Sequence, residues 1–324
     1  KSVIKNDQFL ADVYPFYEAY TIWSAEPDRS KALFLKADQQ LKKYKTKEAF
    51  YLRAKSWRNI AILHQDKDDD IGFVDAMLKA IPLAKESRDS SFTGTIYMDI
   101  ANLFTNQTQF EKAEANFTEG LKFLRASEVN YLDLANMLSA AARSFLLSKK
   151  EAKYPLAKGM LDEEEALLKD KPATIEKAEY FLAEGMYYHA MKQYDKSIQS
   201  FDNGVALTSQ IEQTPYVEYM ANAIEYQKYF SYRDDGNHVA GLKILLAYLK
   251  RSPSIRIGNK QRVYFDIAVT YEALGDKSKA YEWLKKYSTV RDSVYDIDLK
   301  ENVAKMEVRF NTSEKERRIA ILEA

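Results

Sequence analysis

The chain has 324 residues, 48 lysines and arginines against 48 aspartates and glutamates, and no cysteine. A zero net charge leaves no electrostatic footprint for nucleic acid or for an anionic membrane surface. Without cysteine there is no disulfide frame, thiolate metal site or thiol nucleophile. Only 10 glycines and 7 prolines accompany 23 tyrosines, a composition that favours helices over strands.

The chain opens Lys1-Ser2-Val3, without an initiator methionine. No stretch approaches the roughly 20 apolar residues that a membrane span needs, so a mature or trimmed soluble piece is expected, its signal or anchor missing from this sequence. Residues 6–44 read as a degenerate pair of helices around Ala19 and Ala32. From there a repeat takes over. Ala61/His64, Ala101/Phe104, Ala142/Phe145, Gly185/Tyr188, Ala223/Tyr226 and Ala268/Tyr271 each pair a small residue with a ring three positions later. Four residues before each small one stand Trp57, Tyr97, Leu138, Phe181, Tyr219 and Tyr264. Such spacing predicts one face of a first helix. Downstream, Phe73, Ala113, Ala157, Ser197, Ala240 and Ala280 are each followed four positions later by Met77, Phe117, Leu161, Phe201, Ile244 and Leu284. That is the matching face of a second helix. Small residues let two backbones approach, and the rings fill the space beside the contact. Polar turns separate the helices, and Pro27, Pro172, Pro215 and Pro253 each precede a new first helix. One helix–turn–helix unit cannot bury its face alone, so neighbours must stack.

The repeated pattern, an aromatic, a small residue four later, an aromatic three beyond, a turn and a second small-to-large face, resembles the tetratricopeptide repeat. Tyr97–Gly120, Phe181–Gly204 and Tyr264–Tyr287 carry it most clearly. The resemblance implies an all-α fold, a right-handed α-solenoid of about seven helix pairs over residues 1–290, with a long C-terminal helix over 291–324. The period, about 40 residues instead of the family's 34, implies longer helices or longer connections. The tyrosines at repeat slots (Tyr97, Tyr188, Tyr219, Tyr226, Tyr264 and Tyr271) are expected in the core.

Leu299, Val303, Met306 and Phe310 form an apolar seam. It reads either as a cap on the open end of the array or as a dimer seam or connector. Ser313-Glu314-Lys315-Glu316 matches a capping box. Asp292-Ser293-Val294-Tyr295, then Arg309, Phe310 and Thr312, then Lys315, Glu316, Ile319 and Leu322 resemble the segment that links periplasmic tetratricopeptide arrays to the membrane span of bacterial sensors. That resemblance implies a non-catalytic periplasmic sensor region at the inner membrane, with a kinase or DNA-binding output in a missing part. The alternative is a free-standing scaffold for protein partners. A helical-repeat glycan hydrolase would need a carboxylate pair in a cleft, and no such pairing stands outside the repeat.

His64, His189 and His238 are scattered, and no zinc-protease, phosphate-loop, dinucleotide or nucleophile-elbow motif occurs. No cofactor or metal is expected. Asp66, Asp68 and Asp70 fit the start of a calcium loop, but Ile71 and Met77 stand where glycine and glutamate are required; an acidic helix cap is the expectation. His64 occupies an aromatic slot and is expected half-buried. Asp162–Glu165 and Lys42–Lys45 read as solvated charge runs. The resemblance places a ligand groove on the first helices, at Arg58, Ile62 and Gln65; Met98, Asn102 and Thr105; Leu182, Met186 and His189; Phe265, Val269 and Glu272. Its expected occupant is a peptide, a protein or a small molecule such as a glycan.

Overall fold

A computed structural model describes residues 2–126, 131–251 and 257–292. Among them the fold is all-α. The helices are α1 (Ser2–Thr21), α2 (Pro27–Leu41), α3 (Lys47–Gln65), α4 (Asp70–Ser87), α5 (Ser90–Asn106), α6 (Phe110–Arg125) and α7 (Tyr131–Leu147). They continue, after a 3-10 turn at Glu151–Lys153, with α8 (Tyr154–Leu168), α9 (Ile175–Ala190), α10 (Tyr194–Thr208), α11 (Pro215–Asp234), α12 (His238–Arg251) and α13 (Ile257–Ala273). A further helix, α14, covers 277–292. The seam at 299–310, the capping box and most of the connector-like segment lie outside the described residues.

The chain divides into two compact units, 1–191 with 206–212, and 192–205 with 213–324. In the first, α1 packs on α2, α3 on α4, α5 on α6 and α7 on α8, and each pair stacks on the next. In the second, α11 packs on α12 and α12 on α13. The long period comes from long helices in the second pair and from longer links further on, such as those joining Leu168 to Ile175 and Thr208 to Pro215. α3 spans 19 residues and α4 18, and the link from α4 to α5 is two residues, Arg88 and Asp89.

The two amphipathic series meet in the cores. Ala61, Phe73 and Met77 are buried together in one cluster. Ala101, Ala113 and Phe117 share the next, and Ala142, Ala157 and Leu161 the third. Side chains then stitch each pair to its neighbour at separations close to the period. Arg58 Nε donates to Asp99 Oδ2 at 2.6 Å, Ser91 donates to Asp133, and Thr105 Oγ1 donates to Ser144 Oγ at 2.8 Å. Arg125 grips Glu163 with two nitrogens.

Local chemistry sets the helix ends. Thr46, Asp69, Asp89, Thr174 and Thr214 each accept a backbone N–H in the first turn of the helix that follows. The acidic turn is thus a cap, since Asp69 Oδ1 accepts Gly72 N–H at 3.0 Å. From the second helix pair on, the turn within each pair holds one residue at positive φ: Asp68, Thr108, Lys149, Lys192, Gly236 and Gly275. Counting back seven positions from each gives Ala61, Ala101, Ala142, Gly185, Tyr229 and Ala268. Five are the expected small residues. The fifth unit is out of register.

There the slot belongs to Tyr229, not Ala223. Tyr229 is 1% exposed, and its hydroxyl lies 3.2 Å from Thr270 Oγ1. The small partner moves to the second helix as Gly241, whose absent Cβ would stand 3.2 Å from Tyr229 Cδ2. Ala240, the expected second-helix residue, is half-buried, whereas Gly241 and Leu245 are buried. A second correction concerns the first pair. Ala32 is exposed, and the close contact is made by Ser30, whose hydroxyl donates to Ala19 O at 2.9 Å.

Candidate functional site

The register change decides where a site can form. Six residues along an α-helix turn about 600°, which leaves Ala223 some 120° away from Tyr229 around α11. Ala223 therefore leaves the core contact and faces a cavity of about 180 Å³ among α11, α12 and α13. Its wall is Tyr219, Ala223, Tyr226, Gln227, Tyr248, Arg262 and Val263. Tyr219, expected in the core, is 62% exposed and stacks on Tyr216 at 6.3 Å. Tyr226 and Tyr248 meet with ring centroids 5.5 Å apart.

Tyr226 is held in place by a buried carboxylate. Its hydroxyl donates to Asp266, and Asp266 is 8% exposed. Burial pushes the Asp266 carboxyl above its ordinary range, opposed by the Tyr226 hydrogen bond and by Arg233 and Arg262. Burial, followed by the charge of Asp266, likewise raises the Tyr226 phenol, which stays protonated. Gln227 and the hydroxyls of Tyr219 and Tyr248 have no hydrogen-bond partner among the described residues, and Arg262, whose charge acts on Asp266, reaches no carboxylate within 4 Å among them.

The groove residues expected from the repeat are distributed differently. Arg58, half-buried, is committed to Asp99. Met98 and Leu182 are buried. Asn102, Met186 and His189 are half-buried, with Met186 packed on the core of α7–α9. Gln65 is exposed. In the second unit Phe265 is 44% exposed and meets Tyr287 at a tilt with ring centroids 5.2 Å apart, and Glu272 is exposed. The pocket residues escaped the sequence reading because it placed Tyr219 and Tyr226 in repeat slots. The signal that could have found them is Gly236-Asn237, a turn pair seven residues beyond Tyr229.

Elsewhere the chemistry is structural. His64 Nδ1 lies 2.8 Å from Asp69 Oδ2 and its Nε2 lies 3.0 Å from Lys31 Nζ. An ammonium can only donate, so Nε2 accepts and Nδ1–H points at the helix cap. Glu164 is fully buried in α8 and accepts the Ser139 hydroxyl at 2.7 Å on each oxygen. Burial pushes its pKa up to about 8, opposed by Ser139 and by the charge of Arg143, and reinforced by Glu179 and Glu176. Among the described residues no group of three or more His, Asp or Glu could hold a metal ion, and no helix is long and apolar enough to cross a membrane.

The tetratricopeptide-repeat family model matches residues 261–291. No curated protein matches the sequence. Among solved structures, the apo form of RapI is 10% identical, covers 88% of this chain and 99% of its own, and superposes with a TM-score of 0.63. A signal transduction ATPase with numerous domains from Pyrococcus horikoshii, described as having a tetratricopeptide repeat sensor, is 15% identical. That match covers 83% of this chain and 42% of the other, with a TM-score of 0.55. At these identities the likeness speaks to fold. The chain is an all-α array of tetratricopeptide-like helix pairs.

Proposed function

We propose that this chain is a non-catalytic recognition module, the ligand- or partner-binding sensor region of a membrane-anchored bacterial signalling protein. The observation that carries the recognition role is the pocket among α11, α12 and α13. Its wall combines three tyrosines with a guanidinium that reaches no carboxylate within 4 Å and an amide without a hydrogen bond among the described residues, the mixture of apolar surface and few placed polar groups that binding sites use. It holds no serine, histidine or carboxylate pair with which to run hydrolysis.

The sensor assignment draws on the connector-like residues between Asp292 and Leu322. Use of such repeats as a sensor is also how the Pyrococcus horikoshii neighbour is described. In this reading the array faces the periplasm and transmits occupancy through the C-terminal segment. Sequencing the gene beyond Ala324 tests it. The expected result is an apolar span of about 20 residues followed by an output domain. A stop codon with no span would contradict the sensor reading and leave a free-standing scaffold.

A further inference from the structure

We infer that the pocket among α11, α12 and α13 takes a single aromatic ring carrying a carboxylate, an inference that rests on the recognition reading above. Volume sets the size of the occupant. A cavity of about 180 Å³ compares with the roughly 150 Å³ that admits benzene in an engineered apolar cavity. It is well below the several hundred Å³ of a pocket for a drug-sized ligand. One ring with a short arm fits this volume, and a folded partner does not enter.

The wall sets the chemistry. Tyr219, Tyr226 and Tyr248 offer ring faces and edges, which favour another ring in an offset or edge-on contact. Tyr226 is fixed by its bond to Asp266, so this part of the wall is formed before a ligand arrives. Arg262 sets the charge. Arg58, Arg125 and Arg251 each reach a carboxylate within 4 Å, yet Arg262 reaches none among the described residues. A guanidinium is permanently charged and pairs with a carboxylate through two parallel hydrogen bonds.

The competing occupant is an ammonium held over the tyrosine faces. Asp266, the nearby anion, does not line the pocket; its carboxylate is buried and already accepts the Tyr226 hydroxyl. Arg262 would repel a second cation. A neutral sugar would make no ion pair with Arg262.

Titration calorimetry of the 324-residue chain with 3-phenylpropionate, 2-phenylethylamine and methyl glucoside tests the assignment. A tripeptide ending in phenylalanine, as acid and as amide, provides the second arm. Saturable heat is expected with 3-phenylpropionate or with the peptide acid, and none with the amine, the glucoside or the amide. A response to the free acid identifies a small metabolite as the source of the carboxylate, and a response to the peptide acid alone identifies a chain terminus. Binding should weaken tenfold or more in Arg262→Gln, roughly the loss expected for one charge-assisted contact. It should vanish in Ala223→Met, which fills the cavity. Preference for the amine or the sugar, silence from both acids, or unchanged binding in Arg262→Gln would overturn the ligand class. Such a failure is separable from failure of the sensor reading, which is decided by the gene beyond Ala324.

Discussion

Replacing Glu164 by Gln is expected to remove a loss of stability that the natural chain suffers as pH rises. The Glu164 carboxyl is fully buried between α7, α8 and α9 and has its pKa pushed up to about 8 from an ordinary 4.5. In the unfolded chain it ionises near the ordinary value, so between these limits the folded state binds the extra proton. Stability then falls with rising pH, because the slope follows the difference in protons bound by the unfolded and folded states. The buried acid is harmless below about pH 4.5, and its penalty grows through the window up to about 8. The full difference corresponds to roughly 5 kcal/mol. The groups that face it are Ser139 and Arg143 from α7 and Glu176 and Glu179 from α9; of these, Arg143 and the Ser139 hydroxyl alone favour the anion. Gln keeps the shape and a hydrogen bond to Ser139 without a proton to lose. Urea unfolding at pH 5, 7 and 8.5 should show the natural chain weakening while Glu164→Gln changes much less. Parallel profiles for the two proteins would contradict the assignment.

Arg58→Ala should cost about 3 kcal/mol, because it strands a carboxylate that is hard to hydrate. Arg58 on α3 and Asp99 on α5 are 2.6 Å apart, with side chains 24% and 20% exposed. Burial pushes the Asp99 carboxyl up, opposed by the charge and hydrogen bond of Arg58. Removing both partners should recover most of the loss, since the desolvation of two charges disappears together. A double variant as unstable as Arg58→Ala would show that packing of the arginine stem, not the charge left behind, dominates. The result bears on function as well, because the repeat pattern places Arg58 among groove residues. A strong coupling to Asp99 makes it a staple between successive helix pairs.

The sequence carried the architecture because repetition multiplies a weak local signal. A small residue with a ring three positions later means little once, and six such pairs at a common period define helix faces. Phe73 and Met77, Ala113 and Phe117, and Ala157 and Leu161 are buried as that pattern requires. The pattern failed where chemistry substituted for size. At Tyr229 a large ring occupies the slot, and the space it takes is returned by Gly241 on the opposite helix. A reading that looks for a small residue on the first helix then slides to Ala223, six positions away. The same substitution of one device for another hid Ser30, which packs against α1 by donating to the Ala19 carbonyl. The turn residues were the more faithful marker. From the second pair on, a residue at positive φ stands at one point of each turn within a pair, whatever the helices place in the core, and Gly236 marks it next to α12.

The pocket was illegible for a related reason. It is built from positions that the repeat leaves over, and their meaning depends on register. With Ala223 in the slot, Tyr219 and Tyr226 are core rings. With Tyr229 there, they become the wall of a cavity. The cap at Asp69, by contrast, was legible, since an acidic residue just before a helical run has one strong local use.

The account therefore turns on the register of α11 and α12, and a pair of substitutions measures it directly. Gly241→Leu drives a branched side chain into the Tyr229 ring, where even a Cβ would stand 3.2 Å from Cδ2, and should cost about 2 kcal/mol or more in urea unfolding. Ala223→Leu extends into the cavity and should stay within roughly 0.5 kcal/mol of the natural chain. The reverse order, with Ala223→Leu strongly destabilising and Gly241→Leu tolerated, would restore Ala223 to the core and remove the pocket.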